Sequence, residues 1–275
     1  MNRTADVVIV GAGVIGSATA FELAKRGYKT LNIDKLPASG YGSTSNSCAI
    51  VRAHYSTWDG VAMAYEGFFY WDDWNKYLEV EDERGMAKYM KTGSIMFMLK
   101  GADHSKKSLN LFKEIGVEHE IWDLETLKKK MPIYSHDSYN GTSRPDEDDS
   151  FFDKSGDQIE GAVWTPGSGY VSDPQLATHN LQVATEAKGG EFLFDAEITE
   201  IRQSNGQIQG VTLKSGEQID CKVLVNVAGP HSFIINQTAG VEDDMNIKTK
   251  ALRHEVHHVS SPPGFDFEKN VIFCN

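Results

Sequence analysis

The sequence predicts an α/β protein in which a Rossmann-like domain is interleaved with a mixed-sheet α+β domain. Three observations predict it. A continuous apolar run after Asp6, Val7-Val8-Ile9-Val10, meets Gly11-Ala12-Gly13-Val14-Ile15-Gly16 without a break. A helical apolar period follows, and then a second apolar run that ends in an acid at Asp34. Far downstream, Val223-Leu224-Val225-Asn226-Val227 runs into Ala228-Gly229-Pro230.

The first run suits a parallel strand covered on both faces. Val14, Ala18 and Phe21 recur at i, i+4 and i+7, which predicts a helix to about Arg26 with Gly27 as its stop. Thr30 to Ile33 is the second strand of a βαβ unit. Residues 37–47 are small and polar and predict a loop. Residues 61–79 are aromatic-rich and predict a helix with Trp71 and Trp74 one turn apart. Gly93–Leu99 reads as a strand, His104–Ile115 as a helix, Ile121-Trp122 as a short strand, and Leu124–Lys130 as a helix stopped by Pro132. Residues 135–157, with Asp146-Glu147-Asp148-Asp149, predict a solvated surface excursion. Pro174–Lys188 reads as an amphipathic helix. Phe192–Ile201, Gln207–Leu213 and Gln218–Cys221 read as β segments separated by Asn205-Gly206 and Ser215-Gly216 turns. Ala251–Val259 is strand-like, and a strand there puts His254 and His258 on one face and His257 on the other.

Composition narrows the function. A formal net charge of −12 over 275 residues argues against nucleic acid as a partner, because phosphate binding needs a basic surface. Cys48, Cys221 and Cys274 lie far apart, with no ligand spacing for a metal, and their sparse, odd number fits a reducing compartment. The chain reaches its first strand by Val7 without a basic leader, so no signal peptide and a cytoplasmic location are expected. No apolar run approaches the roughly 20 residues that a membrane span needs.

The opening unit carries chemistry. A pyrophosphate needs backbone N–H groups at a helix N-terminus, where the helix dipole favours negative charge. Gly11 allows the tight strand-to-helix turn, Gly13 leaves room for phosphate, and Gly16 lets the helix lie close to the sheet. Asp34 follows Gly16 at the distance expected of an acid that accepts hydrogen bonds from ribose hydroxyls. The motif alone is weak evidence; between a strand and a helix, with that acid, it predicts a dinucleotide site. A carboxylate there disfavours NADP. The position of the motif at the start of the sequence, the small-residue loop and Ala228-Gly229-Pro230 favour FAD, and none of these alone excludes NAD.

The spaced segments Val7–Asp34, Gly42-Ser43-Thr44-Ser45-Asn46, Gly169–Pro174 and Val225–Ser232 resemble the D-amino-acid oxidase-like (DAO) family of FAD-dependent oxidoreductases. The resemblance is closest to the sarcosine oxidase and dimethylglycine dehydrogenase branch. It implies a FAD-binding domain at 1–84 and 157–240 and an incomplete substrate domain at 85–156 and 241–275. It also implies that Gly11, Gly13, Val14, Ile15 and Gly16 line the pyrophosphate and that Asp34 holds the adenosine ribose beside Lys35. Gly42, Ser43, Thr44, Ser45 and Asn46 would meet the pyrophosphate and ribityl chain, Ile198 the adenine through its backbone, and Ala228 and Gly229 the cofactor again. His231 stands where relatives often carry Trp.

In the stretch Gly42–Tyr55, Arg52 and Tyr55 occupy positions where the sarcosine-oxidase branch contacts a substrate carboxylate. A guanidinium fork suits a carboxylate; a structural ion pair is the alternative. Asn46 replaces a histidine that tethers flavin in some relatives, so non-covalent FAD is expected. Ala49 replaces a second arginine. His254 is a candidate for tuning amine protonation near the flavin. The resemblance implies oxidation of the C–N bond of a small amine or N-methylated amino acid by hydride transfer to flavin, with oxygen, a quinone or a carrier protein open as the acceptor. A hydroxy acid or glycerol phosphate is the alternative donor. Family members are longer, so a second polypeptide completing the fold, or a non-catalytic FAD-holding subunit, is also expected as an alternative.

Overall fold

Val7–Val10 and Thr30–Ile33 are buried at every residue, as strands covered on both faces must be. They pair in parallel, with Val7 opposite Thr30 and Val10 opposite Ile33. The computed structural model describes residues 3–101, 104–139, 144, 146–151, 153–257, 259–264 and 272–273. These fall into two compact units, Met1–Ala49 with Asp73–Lys88 and Val171–His258, and Ile50–Asp72 with Tyr89–Tyr170 and Val259–Asn275.

In the first unit a sheet runs in the order Glu191–Leu193, Thr30–Ile33, Val7–Val10, Val223–Asn226, all parallel. The helix Val14–Lys25 connects the first two strands of the chain in this sheet and packs against the helix Pro174–Ala187. The second helix starts cleanly because Asp173 accepts a hydrogen bond from the Leu176 N–H at 2.9 Å and Pro174 occupies the first helical position. A second sheet, Arg3–Thr4, Gln218–Asp220, Gln207–Leu213, Ile198–Ser204, lies over the first. Val8, Leu31 and Ile33 from one sheet meet Ile201, Val211 and Ile219 from the other in a shared core.

The second unit is built on the sheet Ile272–Phe273, Ser94–Met98, Gly161–Thr165, Glu120–Asp123. Its helices Trp58–Asp72 and His104–Ile115 supply Val61, Phe68 and Phe112 to a core shared with Met96 and Val163. Trp122 and Trp164 stack at 5.3 Å, with the Lys130 ammonium 4.2 Å above the Trp122 ring. Three short strands, Ile50–Val51, Gly169–Val171 and Tyr89–Met90, form a further sheet. Among the described residues no helix is long and apolar enough to cross a membrane.

Three expectations differ from the structure. The aromatic helix over 61–79 is two helices, Trp58–Asp72 and Trp74–Leu78, broken at Asp73, where the chain passes from one unit to the other. Trp71 and Trp74 are therefore not successive turns of one helix. The β segment Phe192–Ile201 is two strands in two sheets, split at Asp195, whose φ of +52° is a conformation that Asp tolerates better than most residues. The excursion at 135–157 is solvated as expected, with Lys154–Gln158 exposed at every residue, and it contains an antiparallel pair, Asp137–Tyr139 with Lys154–Gln158. An ion pair of Lys154 with Asp137 at 2.5 Å ties it. Residues 251–257 form no strand, so the alternation that would set His254 and His257 on opposite faces does not arise; His258, expected on the His254 face, lies outside the described residues. The two units divide near residues 49, 72, 88, 170 and 258. The short strand at 50–51, too brief to leave a periodic signal, pairs with 169–170 and carries the chain into the second unit.

Candidate functional site

Residues of its own unit press on the glycine turn at Gly11 and Gly16. Gly11 has a φ of +110°, and a Cβ there would stand 2.5 Å from the Val227 carbonyl oxygen. The late strand ending at Asn226 thus presses its following residues onto the turn, which explains why Val227 and Ala228 recur beside the first motif. A Cβ at Gly16 would stand 1.9 Å from the Gly11 carbonyl oxygen, so the helix closes directly on the turn. Gly13 is the N-cap of the helix, and a Cβ there would meet only the Thr44 hydroxyl at 3.2 Å. Backbone approach from that side is sterically open.

Polar groups complete the cradle. Asp34 accepts from the Ala12 N–H at 2.8 Å with one carboxylate oxygen and from the Leu36 N–H at 2.9 Å with the other. Each oxygen keeps acceptor capacity for a hydroxyl. Thr44 Oγ1 accepts from the Val14 N–H at 3.1 Å and so supplies the cap that Gly13 lacks. Asn32, fully buried, points its amide at the Gly11 carbonyl at 3.4 Å. The loop around Thr44 is self-bonded: Ser45 Oγ and Asn46 Nδ2 both donate to the Gly42 carbonyl, at 3.2 and 3.0 Å. Ser43 is exposed and Gly42 half-buried. Ile15 projects into solvent and only its backbone belongs to the turn. Ala228 donates its N–H to Asn226 Oδ1 at 3.3 Å, and Gly229 begins a 3-10 turn that contains the exposed His231.

Beyond Asp34, Lys35 lines an open cavity of about 450 Å³ together with Phe194, Ala196, Glu197, Leu213 and Lys214. Ile198 begins the strand next to it, opposite Leu213. An N-terminal helix end, an acid with spare acceptor capacity and an adjoining cavity suit a diphosphate, a ribose and a flat ring in that order. These residues fit the adenosine diphosphate half of FAD.

In the second unit, Arg52 is half-buried and Tyr55 exposed, with the guanidinium 5.8 Å from the Tyr55 ring centroid. Ala53 between them is fully buried. His54 is 8% exposed. Its Nε2 lies 3.1 Å from Thr165 Oγ1, and its Nδ1 is buried without a hydrogen-bond partner. Burial, and then the Arg52 charge, lower its pKa to about 4. Sequence reasoning selected Arg52 and Tyr55 and missed His54; the only available signal was its place between them. Asn32 was missed as well, since a polar residue in a buried strand reads as an interruption. His254 is exposed in coil of the first unit.

A model of the FAD dependent oxidoreductase (DAO) family matches residues 6–273, and the chain belongs to that family. FAD is the family's cofactor. The chain is 29% identical to monomeric sarcosine oxidase of Bacillus sp. (strain B-0618) over 86% of its own length and 54% of that protein's. It is 26% identical to sarcosine oxidase subunit beta of Rhodobacter capsulatus over 94% of its own length and 57% of the relative's. Among solved structures, L-proline dehydrogenase from P. horikoshii shares the fold at a TM-score of 0.70 and 22% identity, with 88% of this chain and 57% of that one covered. The chain therefore spans about half the length of these relatives.

Proposed function

We propose that this chain carries the FAD site and the carboxylate-binding arginine of an oxidoreductase acting on the C–N bond of a small amine or N-methylated amino acid. The observation that carries this reading is the cradle made by Gly11, Gly13, Gly16, Asp34 and Thr44. The turn around Gly13 receives the pyrophosphate on the backbone of Val14 and Ile15, Asp34 accepts from the ribose, and the cavity beside Lys35 and Ile198 takes the adenine. The 42–46 loop, Ala228 and Gly229 border the remainder of the cofactor. Asn46 offers no nucleophile for a covalent link, which supports non-covalent binding.

FAD held there would supply a hydride acceptor for the carbon attached to nitrogen, and water would hydrolyse the resulting imine. The chain's own contribution is positioning. Arg52 receives the substrate carboxylate and Tyr55 flanks its guanidinium, a task that requires geometry and no strong base. The relative named as a subunit supports a second subunit that completes the site. The free thiols of Cys48 and Cys221 accord with a cytoplasmic location.

Anaerobic mixing of the purified yellow protein with a panel of N-methyl amino acids, amino acids, hydroxy acids and glycerol phosphate tests the reading. Loss of oxidised-flavin absorbance with the amines alone is the expected result. Bleaching by the hydroxy acids or glycerol phosphate alone moves the reading to C–O oxidation, and a colourless protein that takes up no added FAD overturns it.

A further inference from the structure

We propose that His54 is the positioning residue for Arg52: together with Thr165, Ser94 and Ser168 it plugs the 52–55 segment into the second unit's sheet and so sets the pose of the guanidinium. The proposal deepens the carboxylate-binding role given to Arg52 and rests on it for its functional meaning, though not for its geometry.

Three elements converge on the histidine. Thr165 ends one strand and Ser94 begins its antiparallel neighbour, directly opposite in register. Thr165 Oγ1 lies 2.9 Å from Ser94 Oγ, 2.8 Å from Ser168 Oγ and 3.1 Å from His54 Nε2, and all three hydroxyl residues are fully buried. On the other side the helix His104–Ile115 contributes two residues one turn apart. Phe112 stacks on the imidazole at 5.6 Å and 29°, and Ser108 Oγ donates to the Tyr55 carbonyl at 3.3 Å. The chain just before Arg52 is fixed as well, because Ile50 and Val51 pair with Tyr170 and Gly169.

The hydrogen-bond inventory assigns the ring's proton. With Nε2–H donating to Thr165, the unpaired buried atom is the bare acceptor Nδ1. The other tautomer would bury an N–H donor with no protein partner, which is the rarer and costlier arrangement. The neutral ring also leaves the guanidinium as the cation of this segment; a second charge on His54 would repel it. A buried imidazole two positions after an arginine, bonded to the Thr165 hydroxyl that two serine hydroxyls hold in turn, and stacked on a phenyl ring, is a heavily determined arrangement for a segment that forms no regular structure after Val51. That cost is understandable if the pose of Arg52 matters.

Two measurements on the full-length FAD-bound protein test this. In the first, Arg52 Nε–H is observed by proton–nitrogen NMR and assigned by its disappearance in Arg52→Ala. Thr165→Val and His54→Ala are expected to shift or broaden that signal, and Thr165→Ser, which keeps the hydroxyl, to leave it in place. In the second, anaerobic flavin reduction is followed with N-methylglycine and with N-methylethylamine, which lacks the carboxylate. Thr165→Val and His54→Ala are expected to raise the half-saturating N-methylglycine concentration about tenfold. They should change the value for N-methylethylamine less than about twofold, and add nothing in an Arg52→Ala background. An Arg52 signal unmoved in both variants overturns the proposal, as do equal effects on the two amines or full additivity with Arg52→Ala. If neither amine reduces the wild-type flavin while the Arg52 signal moves in both variants, the positioning role stands and the amine-oxidation reading falls. If His54→Ala fails to fold, the Thr165→Val and Thr165→Ser pair carries the same comparison.

Discussion

Single residues set the limits of the dinucleotide cradle. At Gly11 and Gly16 the added Cβ of an alanine would fall 2.5 and 1.9 Å from backbone oxygens, which cannot move aside as a flexible side chain can. Gly11→Ala must in addition hold a φ of +110°. We expect either substitution to destabilise the protein by roughly 1–3 kcal/mol and to abolish retention of FAD through purification, as read by urea unfolding and by flavin absorbance. Ala12→Gly, which adds no atom, should keep the flavin. His54 gives a prediction of the opposite kind. Its folded pKa, about 4, lies below the unfolded value of 6.5, so its neutral packing contributes fully above pH 6.5. Below that the unfolded chain binds the proton first, and stability falls as the pH drops through the folded value. The loss amounts to roughly 3 kcal/mol between pH 6.5 and 4 relative to a non-titrating His54→Gln variant. Parallel unfolding curves for the two proteins across that range would remove His54 from the buried network. For Arg52, Arg52→Lys keeps the charge and loses the fork; a several-fold rise in the half-saturating concentration of N-methyl amino acids, with little change for simple amines, is the expected outcome in flavin-reduction assays.

Elements owe their placement to a few buried polar side chains as much as to apolar faces. Asn180, on the helix Pro174–Ala187, is fully buried and fully used. It donates to Asp82 at 2.8 Å and to the Gly85 carbonyl at 2.9 Å, and it accepts from the Ala87 N–H at 2.9 Å and from Trp74 Nε1 at 3.3 Å. The segment 82–88, which has no regular structure, is thereby fastened to the helix. Burial alone would raise the Asp82 carboxyl, but the Arg84 N–H, His179 and Asn180 hold it below the usual carboxylate value. Asn180→Ala leaves several of these groups unpaired at once, and we expect a loss of roughly 2–4 kcal/mol in urea unfolding, accompanied by faster proteolysis within 82–88. An effect below about 1 kcal/mol would mean that water replaces the amide. The elements that sequence patterning located well, such as Leu124–Lys130 and Pro174–Ala187, are those with both a periodic face and a cap. The strands Ile50–Val51, Tyr89–Met90 and Gly169–Val171 are two or three residues long and carry no period; their partners alone make them strands.

For the whole molecule, the consequential fact is that each unit is assembled from separated stretches of chain. The first unit holds the proposed dinucleotide cradle and the second holds the Arg52 segment, so one short stretch, Gly42–Tyr55, contributes to both. Binding of FAD stabilises the folded state by mass action, and its effect on melting temperature is expected to rise with FAD concentration and to vanish in Gly11→Ala. Native mass spectrometry of the active assembly tests the proposed completing subunit. A single chain with one FAD that turns over amines would dispose of it.

The first thirty-four residues were legible because their meaning is local. A buried parallel strand, a turn that only glycine can make, a helix and an acid are consecutive in the chain, and steric and hydrogen-bonding rules act on neighbours. The family resemblance, spread over Gly42–Tyr55, Gly169–Pro174 and Val225–Ser232, extended that reading to the cofactor. The tertiary structure alone decided that Val227 closes over Gly11, that Thr44 caps the helix at Val14, that Phe192 and Ile201 belong to different sheets, and that the His54 ring meets the Thr165 hydroxyl. Each of these joins residues far apart in sequence, and side-chain packing and hydrogen-bond satisfaction across such distances leave no periodic trace in the residues themselves.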